Sequence, residues 1–216
     1  MKKTIYATIM AVLLVFFLAA CSGPSEDIPR AEVVEQPAPQ ADPTPAEEVT
    51  EPAPSSPESE PSIDSDSQMG EDNSVTVITD QSTVNFIGFG PGKHYVGTFE
   101  EWAAVVYVED EQIIGVRGSM DATTLTTNGS GGLENHLRSA DFFDVANHPI
   151  VLFEADIEDG IATGPLTLKG VTRQLRFPVE VTENSVKADF VISLQDFDIS
   201  YPGVNDEAQL KFDMNI

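Results

Sequence analysis

Apolar residues recur at every second position in several stretches of the carboxy-terminal part of the chain. A strand that buries one face has this period of two, because successive side chains point to opposite faces of a sheet. The pattern predicts about seven or eight strands. Their apolar positions are Val84 and Phe86; Val106 and Val108; Ile114 and Val116; Val151, Phe153, Ala155 and Ile157; Leu175, Phe177, Val179 and Val181; Val186, Ala188, Phe190, Ile192 and Leu194; and Leu210, Phe212, Met214 and Ile216.

Turn-forming residues separate these predicted strands. They fall at residues 88–92, 109–111 and 158–160, at spacings typical of antiparallel hairpins in a sandwich or barrel. One short helix is predicted near residues 132–139, where two leucines lie four positions apart. The expected fold class is therefore all-β, an antiparallel barrel of about eight strands with one short helix.

The first twenty residues have the pattern of an export signal. Lys2 and Lys3 precede an apolar run from Ile9 to Ala20 that ends in small residues. The run is shorter than the roughly 20 residues that a permanent membrane-spanning helix needs. We therefore predict that residues 1–20 are a signal peptide.

The signal ends at the only cysteine of the chain, Cys21. Leu18-Ala19-Ala20-Cys21 resembles the bacterial lipobox, in which the cysteine receives a thioether lipid and becomes the acylated first residue after cleavage. No second cysteine is present to form a disulfide. Acyl chains contribute about 0.8 kcal/mol per buried methylene to membrane attachment. The resemblance predicts a lipid-anchored bacterial envelope lipoprotein, and Ser22 resembles the residue found in outer-membrane lipoproteins.

Residues 22–72 differ from the rest of the chain in composition. They contain ten of the 15 prolines, fourteen acidic residues, Arg30 as the single basic residue, and no aromatic residue. Such a segment cannot bury enough apolar surface to fold by itself. We interpret residues 21–72 as the lipidated cysteine followed by a disordered spacer, with an acidic recognition tail as the alternative.

The charge and the length of the chain limit the classes of function that it can have. The 216 residues carry a formal net charge of −25, which disfavours nucleic acid as a partner because phosphate binding depends on Lys and Arg. Residues 73–216 contain 22 acidic and 8 basic residues, a net charge of −14, and are long enough for one globular domain.

Three motifs within residues 73–216 resemble the YceI-like family. They are the stretch His136-Leu137-Arg138-Ser139-Ala140-Asp141-Phe142-Phe143-Asp144-Val145 with His148-Pro149 after it, the hairpin Gly164-Pro165-Leu166-Thr167-Leu168-Lys169-Gly170-Val171-Thr172, and the strand Ser82-Thr83-Val84-Asn85-Phe86. The resemblance implies an extended, lipocalin-like β-barrel whose apolar lumen binds polyisoprenoid lipids, such as quinones or prenyl phosphates, without catalysis. Residues 88–98 depart from the family pattern.

These expectations define a set of candidate ligand-binding residues. The head-group candidates are His94, Arg117 and Lys169. The lumen or gate candidates are Phe86, Phe89, Phe142, Phe143, Phe153, Phe177, Phe190 and Phe212. Because the acidic domain offers no tight cluster of basic residues, we expect a neutral head group rather than a pyrophosphate.

Neither a metal site nor a catalytic site is predicted. The three histidines lack the spacing of a helical metal site, and the nucleophile motif G-x-S-x-G is absent from the sequence. No cofactor is expected beyond a non-covalent lipid. The rival interpretation is an envelope adaptor protein, whose barrel is filled by its own side chains and whose acidic surface binds a protein partner.

Overall fold

The computed structural model describes residues 23–35, 74–129 and 131–216. These residues form thirteen β-strands and one α-helix, α1 (Gly131–Arg138). The strands are β1 (Glu32–Val33), β2 (Ser74–Thr76), β3 (Thr83–Gly90), β4 (Lys93–Phe99), β5 (Trp102–Glu109), β6 (Gln112–Asp121), β7 (Leu125–Thr127), β8 (Ile150–Glu158), β9 (Ile161–Leu168), β10 (Val171–Pro178), β11 (Glu180–Thr182), β12 (Ser185–Ser193) and β13 (Glu207–Asn215).

The strands form two antiparallel sheets. One has the order β1-β10-β9-β8-β6-β5-β2 and the other has the order β11-β12-β13-β3-β4-β7. At two of the places where the chain passes between the sheets, from β4 into β5 and from β10 into β11, only one or two residues separate the strands. These continuations join the sheets at both edges, which confirms the predicted all-β, lipocalin-like barrel with one short helix.

The strand count exceeds the predicted seven or eight because several strands lack clean alternation. In β4, for example, Gly97 lies in the core, and a Cβ atom there would be 2.1 Å from Cζ of Phe86. The ring of Phe86 therefore occupies the space that an apolar side chain of β4 would have filled. Such a strand has no run of apolar residues by which the sequence would reveal it.

Two predicted core positions are wrong for local reasons. A β-bulge between Tyr107 and Val108 shifts the pairing of β5 with β6. As a result Ile113, rather than the predicted Ile114, is buried in the core. At the second position Val181 is 37% exposed, because it follows the bend at Pro178 and belongs to the short edge strand β11.

The half of the barrel away from the helix is filled by aromatic side chains. The rings of Phe177 and Phe190 are stacked with their centroids 3.8 Å apart. The centroid of Phe153 lies 6.0 Å from that of Phe177. These rings leave no space for a ligand between them, since dense packing is the usual state of a protein interior.

The helix α1 is fixed to the barrel by polar contacts. Arg138, its last residue, donates hydrogen bonds to the carbonyl oxygens of Thr123, at 3.1 Å, and Leu125. The carboxylate of Glu134 accepts a hydrogen bond of 3.0 Å from the backbone N–H of Thr127. Because these bonds satisfy carbonyls and an amide of the connection before the helix, they fix α1 across one end of the barrel.

The prediction of a disordered spacer over residues 22–72 is wrong for residues 23–35, because these residues pack along the barrel. Ala31 donates a backbone hydrogen bond of 2.9 Å to Val191, and Val191 donates one of 2.9 Å to Pro29. Strand β1 then pairs with β10. The edge strands offer unpaired backbone groups that any sequence can satisfy, so composition alone did not indicate this contact. Residues 36–73, Cys21 and the predicted signal peptide lie outside the described residues.

Candidate functional site

An apolar cavity of about 150 Å³ lies inside the barrel at the end covered by α1. Its wall includes most of β3, the end of β9, the helix, and residues of the loop between β12 and β13. We call this end of the barrel the cavity end. It is marked by Gly90, Leu168 and Ile192, which all line the cavity.

Three phenylalanine rings form the inner part of the wall. The centroid of Phe86 lies 5.6 Å from that of Phe99 and 5.5 Å from that of Phe143. Phe99 and Phe143 are 5.9 Å apart in an edge-to-face arrangement. Each ring comes from a different part of the chain, so the cavity depends on the assembled barrel.

A second aromatic cluster lies where the cavity approaches the surface. His136 of α1 contacts Phe142 at 5.0 Å and Tyr201 at 4.6 Å between ring centroids. Tyr201 is 38% exposed, whereas Phe142 is buried. We call His136, Phe142 and Tyr201 the rim cluster. It separates the apolar interior from solvent, and its three rings belong to a helix, a turn and a loop rather than to the strands.

The sequence model of one protein family, the YceI-like domain, matches residues 76–216. The chain belongs to the YceI-like domain family. Among curated proteins, no sequence matches the chain.

Solved structures share the fold of this YceI-like domain at low sequence identity. BcnA of Burkholderia cenocepacia is 21% identical, with a TM-score of 0.58 over 65% of this chain and 99% of BcnA. A polyisoprenoid binding domain from Saccharophagus degradans, implicated in plant cell wall breakdown, is 9% identical, with a TM-score of 0.53 over 66% of this chain and 97% of that domain. The YCEI protein of Campylobacter jejuni is 20% identical, with a TM-score of 0.50 over 56% of this chain and 82% of that protein.

The YceI-like domain brings five of the eight predicted phenylalanines to the cavity. Phe153, Phe177 and Phe190 do not line it, because they fill the other half of the barrel. The alternation of the strands indicates correctly that Phe86, Phe153, Phe177, Phe190 and Phe212 point inward, but it does not indicate their height along the barrel. The five lining residues are Phe86, Phe89, Phe142, Phe143 and Phe212.

The three predicted head-group residues are not brought together. His94 is exposed on β4. The guanidinium of Arg117 donates two hydrogen bonds, of 2.8 and 3.2 Å, to the carboxylate of Glu154. The Nζ atom of Lys169 donates a hydrogen bond of 3.0 Å to the carbonyl of Asp198. None of the three lines the cavity.

The polar residues that do line the cavity were not among the predicted site residues. They are Asn85, Tyr95 and His136. His136 belongs to the first family motif, and this position was the only sequence signal that pointed to it. In the described part of the chain, no group of three or more His, Cys, Asp or Glu side chains is arranged to hold a metal ion. In the same residues, no helix has the length and apolar character of a membrane span.

The histidine and glycine of two family motifs meet beside the cavity. A Cβ atom on Gly170 would lie 2.5 Å from the ring of His148. Gly170 also has a φ of +74°, in the region that favours glycine. Only glycine meets both requirements. The ring of His148, just before β8, therefore packs directly against the backbone of the turn between β9 and β10.

Proposed function

We propose that this protein is a lipid-binding lipoprotein that holds one isoprenoid lipid in the barrel cavity. The observation that carries the proposal is the cavity itself, which is lined almost entirely by apolar and aromatic side chains at one end of the barrel. Membership of the YceI-like family and the similarity in fold to a polyisoprenoid binding domain support the choice of ligand.

The cavity volume sets a condition on how such a lipid binds. An apolar cavity of about 150 Å³ accepts a ligand the size of benzene. A longer isoprenoid tail therefore requires the aromatic side chains of the wall to move apart. Each buried methylene contributes about 0.8 kcal/mol, so ten of them supply roughly 8 kcal/mol to offset that rearrangement. We expect the rim cluster to move, because Tyr201 is partly exposed and lies on a loop.

The head group that fits this site best is neutral. The predicted cationic residues are held outside the cavity, and a phosphate moved among apolar side chains would lose its hydration without gaining a partner. Tyr95 and His136 line the cavity through apolar ring atoms, so its wall offers almost no polar partner to a phosphate. These features favour a quinone over a prenyl pyrophosphate.

Native mass spectrometry of the full chain, extracted gently from its own membranes, tests the proposal. We expect a retained mass that matches a prenylated quinone and that an added quinone displaces. Retention of no lipid, together with no binding of a fluorescent isoprenoid, would contradict the proposal.

The filled half of the barrel favours the adaptor as a second candidate. The stacked rings of Phe177 and Phe190 show that this fold also buries its own side chains densely. If the protein is an adaptor, a protein partner should copurify with it, and blocking the cavity should leave the binding of that partner unchanged. If the protein is a carrier, it should retain a bound lipid, and blocking the cavity should abolish lipid binding.

The anchor and the location belong to the same proposal. We propose that Cys21 is acylated after export and that the protein stays at the envelope membrane, where it stores, shields or carries its lipid. Cys21→Ser should leave an unprocessed or soluble form, and should abolish both partition into detergent and incorporation of radioactive fatty acid. Unchanged labelling with fatty acid would show that Cys21 is not the attachment site.

A further inference from the structure

The amino-terminal segment from Gly23 to residue 35, here called the strap, forms polar contacts with both sheets of the barrel. Its strand β1 pairs Glu32 with Arg176 of β10. Its Arg30 forms an ion pair of 2.7 Å with Glu207 of β13, in the other sheet. A further backbone hydrogen bond of 2.9 Å runs from Val34 to Gln174. The strap is therefore fixed at several points rather than by a single contact.

The strap begins beside the cavity end. A Cβ atom on Gly23 would lie 3.1 Å from Nδ2 of Asn205. The backbone N–H of Asn205 donates a hydrogen bond of 2.9 Å to the carbonyl of Phe89. Phe89 and Val204, the residue before Asn205, both line the cavity. The start of the strap and the ligand site thus share the same end of the barrel.

Chain length places the predicted anchor close to this end as well. Cys21 precedes Gly23 by two residues, and two residues of chain span at most about 7 Å. Residues 36–73 connect β1 to β2, which pairs with β5, so both ends of that segment are attached to the barrel. The segment therefore does not separate the anchor from the barrel.

The turns at the opposite end of the barrel carry acidic residues and no basic ones, whereas the loops at the cavity end carry Lys93, Arg138 and Lys169 beside acidic residues such as Asp141, Asp198 and Asp206. Antiparallel strands reverse at each turn, so the turns after β5, β8 and β11 lie away from the cavity end. We call these turns, at residues 109–111, 158–160 and 182–185, the far end. They contain no basic residue, and their exposed acidic residues are Glu109, Asp110, Glu111, Glu158, Asp159 and Glu183. An anionic membrane surface repels such a cluster within a Debye length of about 8 Å.

We propose that the strap orients the barrel, holding the cavity end against the phospholipid surface that carries the anchor and turning the acidic far end away. The isoprenoid then passes directly between the bilayer and the cavity, without crossing water. This inference rests on the proposed acylation of Cys21 and on the proposed lipid ligand. It assigns a bilayer surface as the partner of the cavity end.

The orientation is measurable with single labels. Because Cys21 is the only cysteine and its thiol is consumed by acylation, each of the variants Pro91→Cys and Glu183→Cys has one free thiol. Pro91 lies in the turn after β3 at the cavity end, and Glu183 lies at the far end. A strand of eight residues such as β9 spans roughly 26 Å, which places the two labels at clearly different depths.

The lipidated full chain is reconstituted in vesicles of phosphatidylethanolamine and phosphatidylglycerol that contain a nitroxide-labelled phosphatidylcholine. We expect the nitroxide to quench a fluorophore at position 91 several-fold more strongly than one at position 183. Equal quenching, or stronger quenching at position 183, would overturn the inference. If the chain does not float with the vesicles at all, the anchor and the orientation fail together.

A strap variant separates tethering from orientation. Ala31→Pro with Val34→Pro removes the two donors that bond to Val191 and Gln174, whereas Ala31→Ser with Val34→Thr keeps both. We expect the proline variant to float with vesicles as before but to lose the difference in quenching between the labels. The control variant should retain that difference. If the proline variant retains it while hydrogen exchange shows the strap released, the strap does not set the orientation.

Discussion

At the scale of single residues, the barrel depends on places where one backbone approaches another. Gly164 of β9 is the clearest case, because a Cβ atom there would lie 2.2 Å from the carbonyl oxygen of Glu154 and 2.7 Å from Cα of Ala155. Both contacts are with the backbone of β8, which cannot move aside without disturbing the sheet. The close spacing of β8 and β9 therefore requires a glycine at position 164, the first residue of the hairpin motif.

Gly164→Ala should lower the free energy of unfolding by about 2 kcal/mol, through overpacking of β8 against β9. Urea denaturation followed by circular dichroism measures the change. The matched control is Gly88→Ala, because no atom lies within 4 Å of a Cβ built on Gly88. Equal loss of stability in the two variants would show that the close approach at Gly164 is not the cause.

The cavity can be tested by a single residue that fills it. Ala208 of β13 is buried and lines the cavity, so Ala208→Leu places three further carbon atoms in a space of about 150 Å³. We expect affinity for a fluorescent isoprenoid to fall at least about tenfold, which corresponds to about 1.4 kcal/mol. Ala103→Leu, on an exposed position of β5, is the control and should leave affinity unchanged. Unchanged binding in Ala208→Leu would place the ligand elsewhere.

At the scale of elements, the docking of the strap changes how the acidic, proline-rich residues after it are attached to the barrel. Because β1 and β2 are both paired with the barrel, the two ends of residues 36–73 are both attached to it. The entropic cost of closing a flexible connection rises slowly with its length, by about 0.6 kcal/mol for each doubling. A free tether would carry no such cost.

Deleting residues 46–64, half of this connection, should therefore raise the stability of the barrel by about 0.6 kcal/mol. The deletion leaves both β1 and β2 in place. Chemical denaturation of the two full-length forms, compared at equal slope, measures the difference. Replacing residues 46–64 by the same number of Gly and Ser residues is the control for composition and should leave stability nearly unchanged. A large loss of stability on deletion would mean that the connection packs on the barrel.

At the scale of the whole molecule, charge and cavity together select the ligand. The domain carries a net charge of −14, and the described basic residues are engaged outside the cavity, as the ion pairs of Arg117 with Glu154 and of Lys187 with Asp213 illustrate. Such partly exposed pairs contribute little to stability, yet they keep these cations occupied. A charged head group would meet an acidic surface and an apolar wall.

In a competition assay, a quinone should displace a fluorescent isoprenoid at lower concentration than a prenyl pyrophosphate of equal tail length. Lowering the ionic strength should weaken pyrophosphate binding further, since screening of the acidic domain is reduced. Lys169→Ala should change neither result. Tighter pyrophosphate binding that weakens with added salt and with Lys169→Ala would reverse this choice of head group.

The sequence by itself determined the fold class, because a strand that buries one face must alternate and this alternation is local. It placed the helix within one residue of α1 (Gly131–Arg138), and the order of the three motifs indicated the family that the match over residues 76–216 confirms. The same local rules predicted that Phe86 and Phe177 both face inward. Each of these inferences needs only near neighbours in the chain.

Only the tertiary structure decided which inward residues meet a cavity and which fill the core. Phe177 stacks on Phe190 and Phe86 meets Phe143, and both contacts join segments that are distant in sequence. The docking of the strap was likewise decided there, because its hydrogen bonds are between backbone groups that every residue type except proline offers in full. Alternation fixes the face of a strand to which a side chain belongs, but its height along the barrel and its partner across the lumen arise only when the sheets close.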